Sequence, residues 1–579
     1  MSSSPPVTVS ALMKTFPGPD GRPFKALNGI GFTVSQPGTV TSVAGPDGAG
    51  KSTLLALLAG LIRPDEGSAQ IFGRTPDPND PDFVSLIGYM PQRFGLYEEL
   101  SAKENFDTFA ALRGVPPDVA TARFAELMAL TGLKGFEDRA AGALSGGMKQ
   151  KLGLVCTLAA MPPLLILDEP TVGVDPLSRL ELRRIIRRMA DEVGLTAVMS
   201  TAYLEEAAEA DRVMLMNEGR ILAYDSPKAL ITGIAGETWR VSLPEGDGGR
   251  TARRLMREVR AAKAASPLLD AVPRADGIDL LTAEPVSVSP VPGARPRDPV
   301  LEDVYCRLTF ERTPARVPAD VPAGAAGEDT VIAAEHISKR FGSFTAVADT
   351  SFTVGRGEIF GLLGPNGAGK TTTFRMLCGL LEPTSGTIRV SGVDMLRAKS
   401  EARRRVGYVA QRFSLYERLT VEENLRYFGE SYGVWGRRLN ARLEELADAF
   451  RLGRWMRTAA SALPLGIKRE LAMAAALIHS PDILFLDEAT SGADVAARRA
   501  FWRRIVSLCE AGTTAVVTTH FMEEAEYFDR LLIQDAGTVL AAGTPAEIRR
   551  HASADGRPVT FEEAFIDIVR RHRAQGGAA

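Results

Sequence analysis

Cysteine is scarce, with four in 579 residues, Cys156, Cys306, Cys378 and Cys509, scattered along the chain. There is no CxxC pair and no Cys/His cluster, which argues against a disulfide framework, a zinc site or an iron–sulfur cluster. The four read instead as small buried hydrophobes in a reducing compartment. Charge of one sign is also lacking. Lys and Arg total 68 against 71 Asp and Glu, a net of −3, which gives no bulk electrostatic reason to expect nucleic acid as a partner, and none is expected. The start of the chain, MSSSPPVTVS, has no basic segment followed by an apolar core, so no signal peptide is expected. Long hydrophobic runs are missing too, since a membrane span needs ~18 apolar residues. The stretch Leu54–Ile62 is too short, and Pro162-Pro163 interrupts a longer one. Any contact with a membrane is expected to go through a partner.

What is present fits a soluble globular protein of at least two domains, with 45% hydrophobic and 24% charged residues. The chain repeats itself at an offset of 319: Lys51 maps to Lys370, Gln92 to Gln411, Gly147 to Gly466, Asp168 to Asp487 and Asp175 to Asp494. Each copy opens with an alternating strand-like segment ending near Phe16 or Phe341. A buried-type strand follows, Val40–Ala44 or Ile359–Leu363, then a glycine-rich loop and an amphipathic helix starting at Lys51 or Lys370. The middle of each copy has helical periodicity, as in Ala102–Leu112 and Leu439–Phe450. Next come aliphatic runs ending in an acidic pair, Leu164 to Glu169 and Ile483 to Glu488. This pattern predicts an α/β fold with a parallel, doubly covered sheet and a helical insertion. The boundaries read as a first domain over 1–230, its extension over 231–312, a Pro/Ala/Gly-rich flexible linker over 313–329, a second domain over 330–547 and a tail over 548–579. Within the extension, Trp239–Leu243 carries a strand signal and Thr251–Ala264 a helix signal.

Both glycine loops, Gly45 to Thr53 and Gly364 to Thr372, fit G-x4-G-K-[ST]. Gly45, Gly48 and Gly50 in one copy, and Gly364, Gly367 and Gly369 in the other, let backbone N–H groups face phosphate oxygens. The following helix N-terminus adds its dipole, and Lys51 or Lys370 brings a point charge. Ser52 and Thr371 offer hydroxyls to Mg²⁺, with Asp168 and Asp487 as its carboxylate partners. Thr53 and Thr372 complete the loops. ATP with Mg²⁺ is the expected ligand.

These motifs, together with Leu144-Ser145-Gly146-Gly147, resemble the ATP-binding-cassette (ABC) family. The resemblance implies two tandem P-loop NTPase domains, each with a parallel-sheet core, an antiparallel β subdomain and a helical subdomain, and it implies ATP hydrolysis. It gives Glu169 and Glu488 the role of general base, and Gln92 and Gln411 that of residues touching metal and water. His520 becomes the γ-phosphate contact, Phe16 and Phe341 the adenine-stacking rings, and Ser145, Gly146, Gly147 and Gly466 the signature residues. The second signature, Leu463-Pro464-Leu465-Gly466, the segment 518–526 and Leu301-Glu302-Asp303-Val304 narrow the likeness to fused double-cassette ATPases of bacterial multidrug exporters that pair with ABC-2 type permeases. The implied location is the cytoplasmic face of the cell membrane, held there by permease subunits. Cargo is not legible, because the permease would select it.

The copies differ in three places. Pro464 and Leu465 replace Ser145 and Gly146, Ala202 stands where the second copy has His520, and Asp47 replaces the amide of Asn366, bringing a carboxylate near phosphate. In the family's head-to-tail arrangement all three changes fall in one composite site, so one degenerate and one hydrolytic ATP site are expected. The alternatives are a soluble tandem-cassette factor acting on ribosomes and a fused importer ATPase. The Pro/Ala/Gly-rich linker and broken second signature count against the first, and the intact loop Gly364 to Thr372 against the second.

Overall fold

The computed structural model describes residues 4–17, 23–92, 95–243, 268–274, 277–309, 330–395, 404–411, 413–490, 493, 495–552 and 559–576. The expected linker, the helix expected over Thr251–Ala264, and the residues Arg93, Phe94, Arg412 and Asp494 lie outside them. Two compact units divide the chain, one of Met1–Glu237 with Asp298–Phe310 and the other of Thr238–Arg297 with Glu311–Ala579. Of the extension expected after the first domain, therefore, Asp298–Phe310 stays with the first unit while Thr238–Arg297 groups with the second.

Each unit is built around a six-stranded sheet. In the first the order is Ile87–Met90, Leu164–Leu167, Thr196–Thr201, Val40–Ala44, Arg212–Asn217 and Arg220–Asp225. In the second it is Val406–Val409, Ile483–Asp487, Thr514–Thr518, Ile359–Leu363, Arg530–Asp535 and Thr538–Gly543. The strand carrying each glycine loop is central and buried along its whole length, as its unbroken apolar run requires of a strand covered on both faces. The sheets are not wholly parallel as expected. Their last strands run antiparallel, because Glu218-Gly219 and Ala536-Gly537 place two successive residues at positive φ, 46° and 74°, then 47° and 80°. That geometry makes a tight hairpin in place of a crossover.

An antiparallel sheet flanks each core, formed by Val7–Pro17, Pro23–Val34 and Glu66–Ile71 in one unit. In the other it is formed by Thr330–Phe341, Phe344–Gly355, Ser385–Val390 and Val393–Asp394. The helical part comprises Ala102–Leu112, Pro117–Leu130 and Gly146–Thr157 in the first copy and Val421–Ser431, Gly436–Ala449 and Leu465–Leu477 in the second. Its first helix starts the same way in both, with a capping box of Ser101 and Glu104 or of Thr420 and Glu423 that satisfies two otherwise unpaired amides. Phe106 packs on Phe124 at 5.0 Å between ring centres, inside an apolar cluster with Leu127, Met128 and Leu152.

The stretch Thr238–Arg297 makes a small antiparallel sheet ordered Leu268–Arg274, Gly277–Thr282, Thr238–Ser242, Arg295–Pro296. Asp279 sits buried in it between Arg240 at 2.7 Å, Arg274 at 2.9 Å and Arg297 at 3.4 Å. Burial alone would raise its pKa, but the guanidiniums outweigh that and hold the carboxyl far below its ordinary range.

Candidate functional site

The glycine loops close onto the N-termini of the helices Lys51–Leu58 and Lys370–Leu377. Gly50 and Gly369 have φ of 98° and 99°, and a Cβ there would come within 2.3 Å of the Ala26 carbonyl oxygen or 2.4 Å of that of Ala346. Both the backbone angle and the close approach exclude any other residue. Lys51 Nζ donates to the carbonyls of Gly45 and Pro46 at 2.8 and 2.9 Å, and Lys370 Nζ to those of Gly364 and Pro365 at 2.6 and 2.9 Å. Each ammonium is thus drawn back over its own loop, where a phosphate oxygen would meet it. Ser52 and Thr371 occupy the second position of their helices, with Thr53 and Thr372 following.

At the ends of Leu164–Leu167 and Ile483–Asp487, each separated from the loop strand by one intervening strand, the acidic pairs come into register with these loops. Ser52 Oγ donates to Asp168 at 3.0 Å, and Ser200 Oγ donates to the same carboxylate at 2.7 Å while accepting the Glu169 amide at 2.8 Å. In the second copy Thr518 repeats the role of Ser200, at 2.6 Å to Asp487 and 3.1 Å from the Glu488 amide. Burial raises the pKa of Asp168 and of Asp487 despite these hydroxyls, so each carboxylate is short of positive charge. A divalent cation would supply it. Among the described residues no three His, Cys, Asp or Glu cluster as a metal cage, and a hydroxyl with one carboxylate is the partial donor set that suits Mg²⁺, which takes its remaining ligands from phosphate and water.

Glu169 and Glu488 both sit at positive φ, 49° and 46°, a conformation that costs a non-glycine residue about 1–3 kcal/mol and gathers at sites of function. Gln92 Nε2 donates to Glu169 at 2.8 Å, and Gln411 Nε2 to Glu488 at 2.5 Å. Beyond that the copies part. Lys51 pairs with Glu169 at 3.1 Å, both side chains buried, and Lys370 likewise acts on Glu488 through its charge, but Glu488 also has the His520 imidazole Nδ1 beside it at 3.3 Å. Burial pushes the Glu488 pKa up, but His520, Lys370 and Gln411 together bring it below its ordinary value.

The position equivalent to His520 is Ala202. Thr201 Oγ1 accepts the Tyr203 amide at 3.0 Å as Thr519 Oγ1 accepts that of Phe521 at 2.9 Å, so the repeat offset has shortened to 318 beyond the helices Pro176–Val193 and Val495–Glu510. At the signatures, Ser145 caps the helix Gly146–Thr157, its hydroxyl accepting the Met148 amide at 3.3 Å. Pro464, heading the helix Leu465–Leu477, makes no such cap. Gly147 lies against Ser178, 2.8 Å from where a Cβ would stand, while Gly466 faces open space. Phe16 and Phe341 end their strands paired with Phe24 and Phe344, exposed and capped by the ammoniums of Lys14 and Lys339 at 5.6 and 5.3 Å.

Sequence reasoning passed over Ser200 and Thr518, and also Asn105 and Asn424. Each buried asparagine clamps the loop after its glutamine, exchanging bonds of 2.9 and 3.0 Å with the backbone of Tyr97, or two of 3.0 Å with that of Tyr416. The asparagines recur at the same 319 offset as the motifs, which was the available signal.

Two glycine loops with lysine, hydroxyl and carboxylate converging on each define a tandem P-loop nucleoside triphosphatase. The family model described as "ABC transporter" matches residues 27–172 and 347–491. The "Probable multidrug ABC transporter ATP-binding protein YbhF" of Escherichia coli (strain K12) is 44% identical over 582 residues, covering 97% of both chains. The "Daunorubicin resistance ATP-binding protein DrrA3" of Streptomyces coeruleorubidus is 40% identical over 43% of this chain and 77% of its own. The "Nod factor export ATP-binding protein I" of Ralstonia nicotianae is 42% identical over 40% and 72%. The chain belongs to the ABC transporter family: it is an ATP-binding, ATP-hydrolysing subunit of a transporter with two cassettes. No helix among the described residues is long and apolar enough to cross a membrane.

Proposed function

We propose that the chain is the energy-coupling subunit of an efflux transporter, most simply a multidrug exporter, and that it works from the cytoplasmic face of the membrane with ABC-2 type permease subunits. Support comes from the near full-length likeness to a multidrug ATP-binding protein, from the partial likeness to drug-resistance and Nod-factor export ATPases, and from the motifs at 301–304, 463–466 and 518–526. Mg²⁺ would be held by Ser52 with Asp168 and by Thr371 with Asp487, Gln92 and Gln411 completing its surroundings, and would neutralise charge on the transferring phosphate. Glu488 acts as general base in the second cassette, oriented by Gln411 and His520.

The observation that carries the asymmetric reading is the second carboxylate's neighbour: His520 beside Glu488, against the methyl group of Ala202 at the equivalent position of the first cassette. The first cassette is proposed to bind ATP and turn it over slowly. Its pairing with the broken signature of the other copy is part of this proposal, taken from the head-to-tail arrangement of the family.

Exposed aromatics after each glutamine, Tyr97 in one copy and Tyr416 with Tyr427 in the other, offer apolar ground for a permease's cytoplasmic helices. Co-purification from a detergent extract tests this: the chain is expected to bring down multi-span membrane proteins, and Tyr97→Asp with Tyr416→Asp to release them. Sedimentation with ribosomes and no membrane protein would overturn the exporter reading in favour of a ribosome-acting factor. Recovery with a solute-binding import system would favour a fused importer ATPase.

A further inference from the structure

Asp270 lies on the strand Leu268–Arg274 of the small sheet, with its side chain only 2% exposed. Arg499 Nη1 donates to it at 2.5 Å, and Arg503 Nη1 lies 3.4 Å away. The two arginines stand one turn apart on the helix Val495–Glu510, which starts a few residues beyond the Asp487-Glu488 pair. Arg499 is itself buried. A charge in such a place persists only with a partner, and removing one member of a buried pair is far more disruptive than breaking a surface ion pair.

The next residue back along this helix leads to the site. Arg498 Nη2 donates to Glu523 at 2.8 Å, and its guanidinium lies 4.6 Å from the centre of the Phe521 ring. Phe521 stacks on His520 at 4.6 Å, and His520 meets Glu488 at 3.3 Å. The strand Leu268–Arg274 also packs directly on the turn Met522–Tyr527 that follows His520, and Trp502 of the same helix stacks on Tyr527 at 4.9 Å. The small sheet therefore braces the histidine loop twice, once through the turn behind it and once through the helix that carries Arg498.

The first cassette keeps half of this arrangement. Arg179 lies over the Tyr203 ring at 4.3 Å, as Arg498 lies over Phe521, but the position of Arg499 is taken by the apolar Leu180. The buried arginine is thus an addition in the copy that has the histidine.

We infer that Asp270, although it follows the first cassette in sequence, is a positioning residue for hydrolysis in the second: its pairing with Arg499 fixes the first turn of the helix and, through Arg498 and Phe521, the place of His520 against Glu488. Lys370 of the phosphate loop, whose charge acts on Glu488, is positioned by its own loop carbonyls. Loosening the brace should therefore slow turnover without weakening ATP binding.

The inference rests on the assignment of Glu488 and His520 to hydrolysis, which His520→Ala tests separately. In the full-length chain, Asp270→Asn, which keeps shape and removes charge, is expected to lower kcat by about 10- to 100-fold, the penalty of misplacing a catalytic group by about an ångström. KM for ATP should stay within about two-fold, because uniform binding is untouched. Hydrogen exchange of 520–527 should speed up, and Arg499→Leu, which copies the first cassette, should act in the same direction. Combined with His520→Ala, Asp270→Asn should add no further loss, since both act through one group. An unchanged kcat in Asp270→Asn or Arg499→Leu, or a loss that multiplies with that of His520→Ala, would overturn the inference. Full activity in His520→Ala would instead overturn the site assignment.

Discussion

Glu488→Gln in the full-length chain is expected to lower ATP hydrolysis by about 10²- to 10⁴-fold, the usual contribution of a positioned general base, while Glu169→Gln leaves most of the activity. The two glutamates share a strained backbone conformation and a glutamine partner, so amide substitution perturbs both sites alike in shape. They differ in what can happen next. Glu488 has the His520 imidazole at 3.3 Å, placed to orient the carboxylate toward the water it is proposed to deprotonate. In the first cassette the equivalent position is Ala202, so no imidazole stands beside Glu169 to hold the γ-phosphate. Steady-state phosphate release from the purified chain with its permease checks this, and equal losses from the two substitutions would defeat the asymmetry.

His520→Ala is the second large effect expected, a drop in kcat of about 10²- to 10³-fold, the scale seen when one donor to a developing negative charge is removed. It gives the second cassette the side chain found at the equivalent place in the first. His520 is largely buried and stacked on Phe521, so the missing ring leaves a gap beside Glu488 as well as a missing donor. ATP affinity should change little, because Lys370 and the loop glycines remain. A titration of rate against ATP concentration separates the two: kcat falls and KM holds. A rise in KM with kcat intact would place His520 in ground-state binding instead.

The strands that carry the chemistry were legible because their function imposes their pattern. A central strand covered on both faces must be apolar throughout, so Val40–Ala44 and Ile359–Leu363 stand in the structure at the limits read from sequence. The glycine loops were legible because only glycine fits at positions such as 50 and 369. The antiparallel last strands were not, since the two-residue turns at Glu218-Gly219 and Ala536-Gly537 are weak signals beside six-strand periodicity. Nor were Ser200, Thr518, Asn105 and Asn424, polar residues whose meaning lies in what they face. The helix read as Leu439–Phe450 begins earlier, at Gly436, since its first turn is polar and carries no apolar period. Least legible of all was the tie between Asp270 and Arg499, 229 residues apart. No local pattern encodes such a pair, and the sheet that supplies Asp270 reads as a continuation of the first cassette until the chain is folded.

The most direct test of the central claim, one hydrolysing cassette and one holding cassette, is the identity of the nucleotide kept by each. The chain with its permease is allowed to turn over 8-azido-[α-³²P]ATP, photolysed and digested, and the labelled peptides are assigned to the loop Gly45 to Thr53 or to the loop Gly364 to Thr372. Unhydrolysed triphosphate on the first loop and diphosphate on the second is the predicted result; diphosphate in equal measure on both would contradict the account.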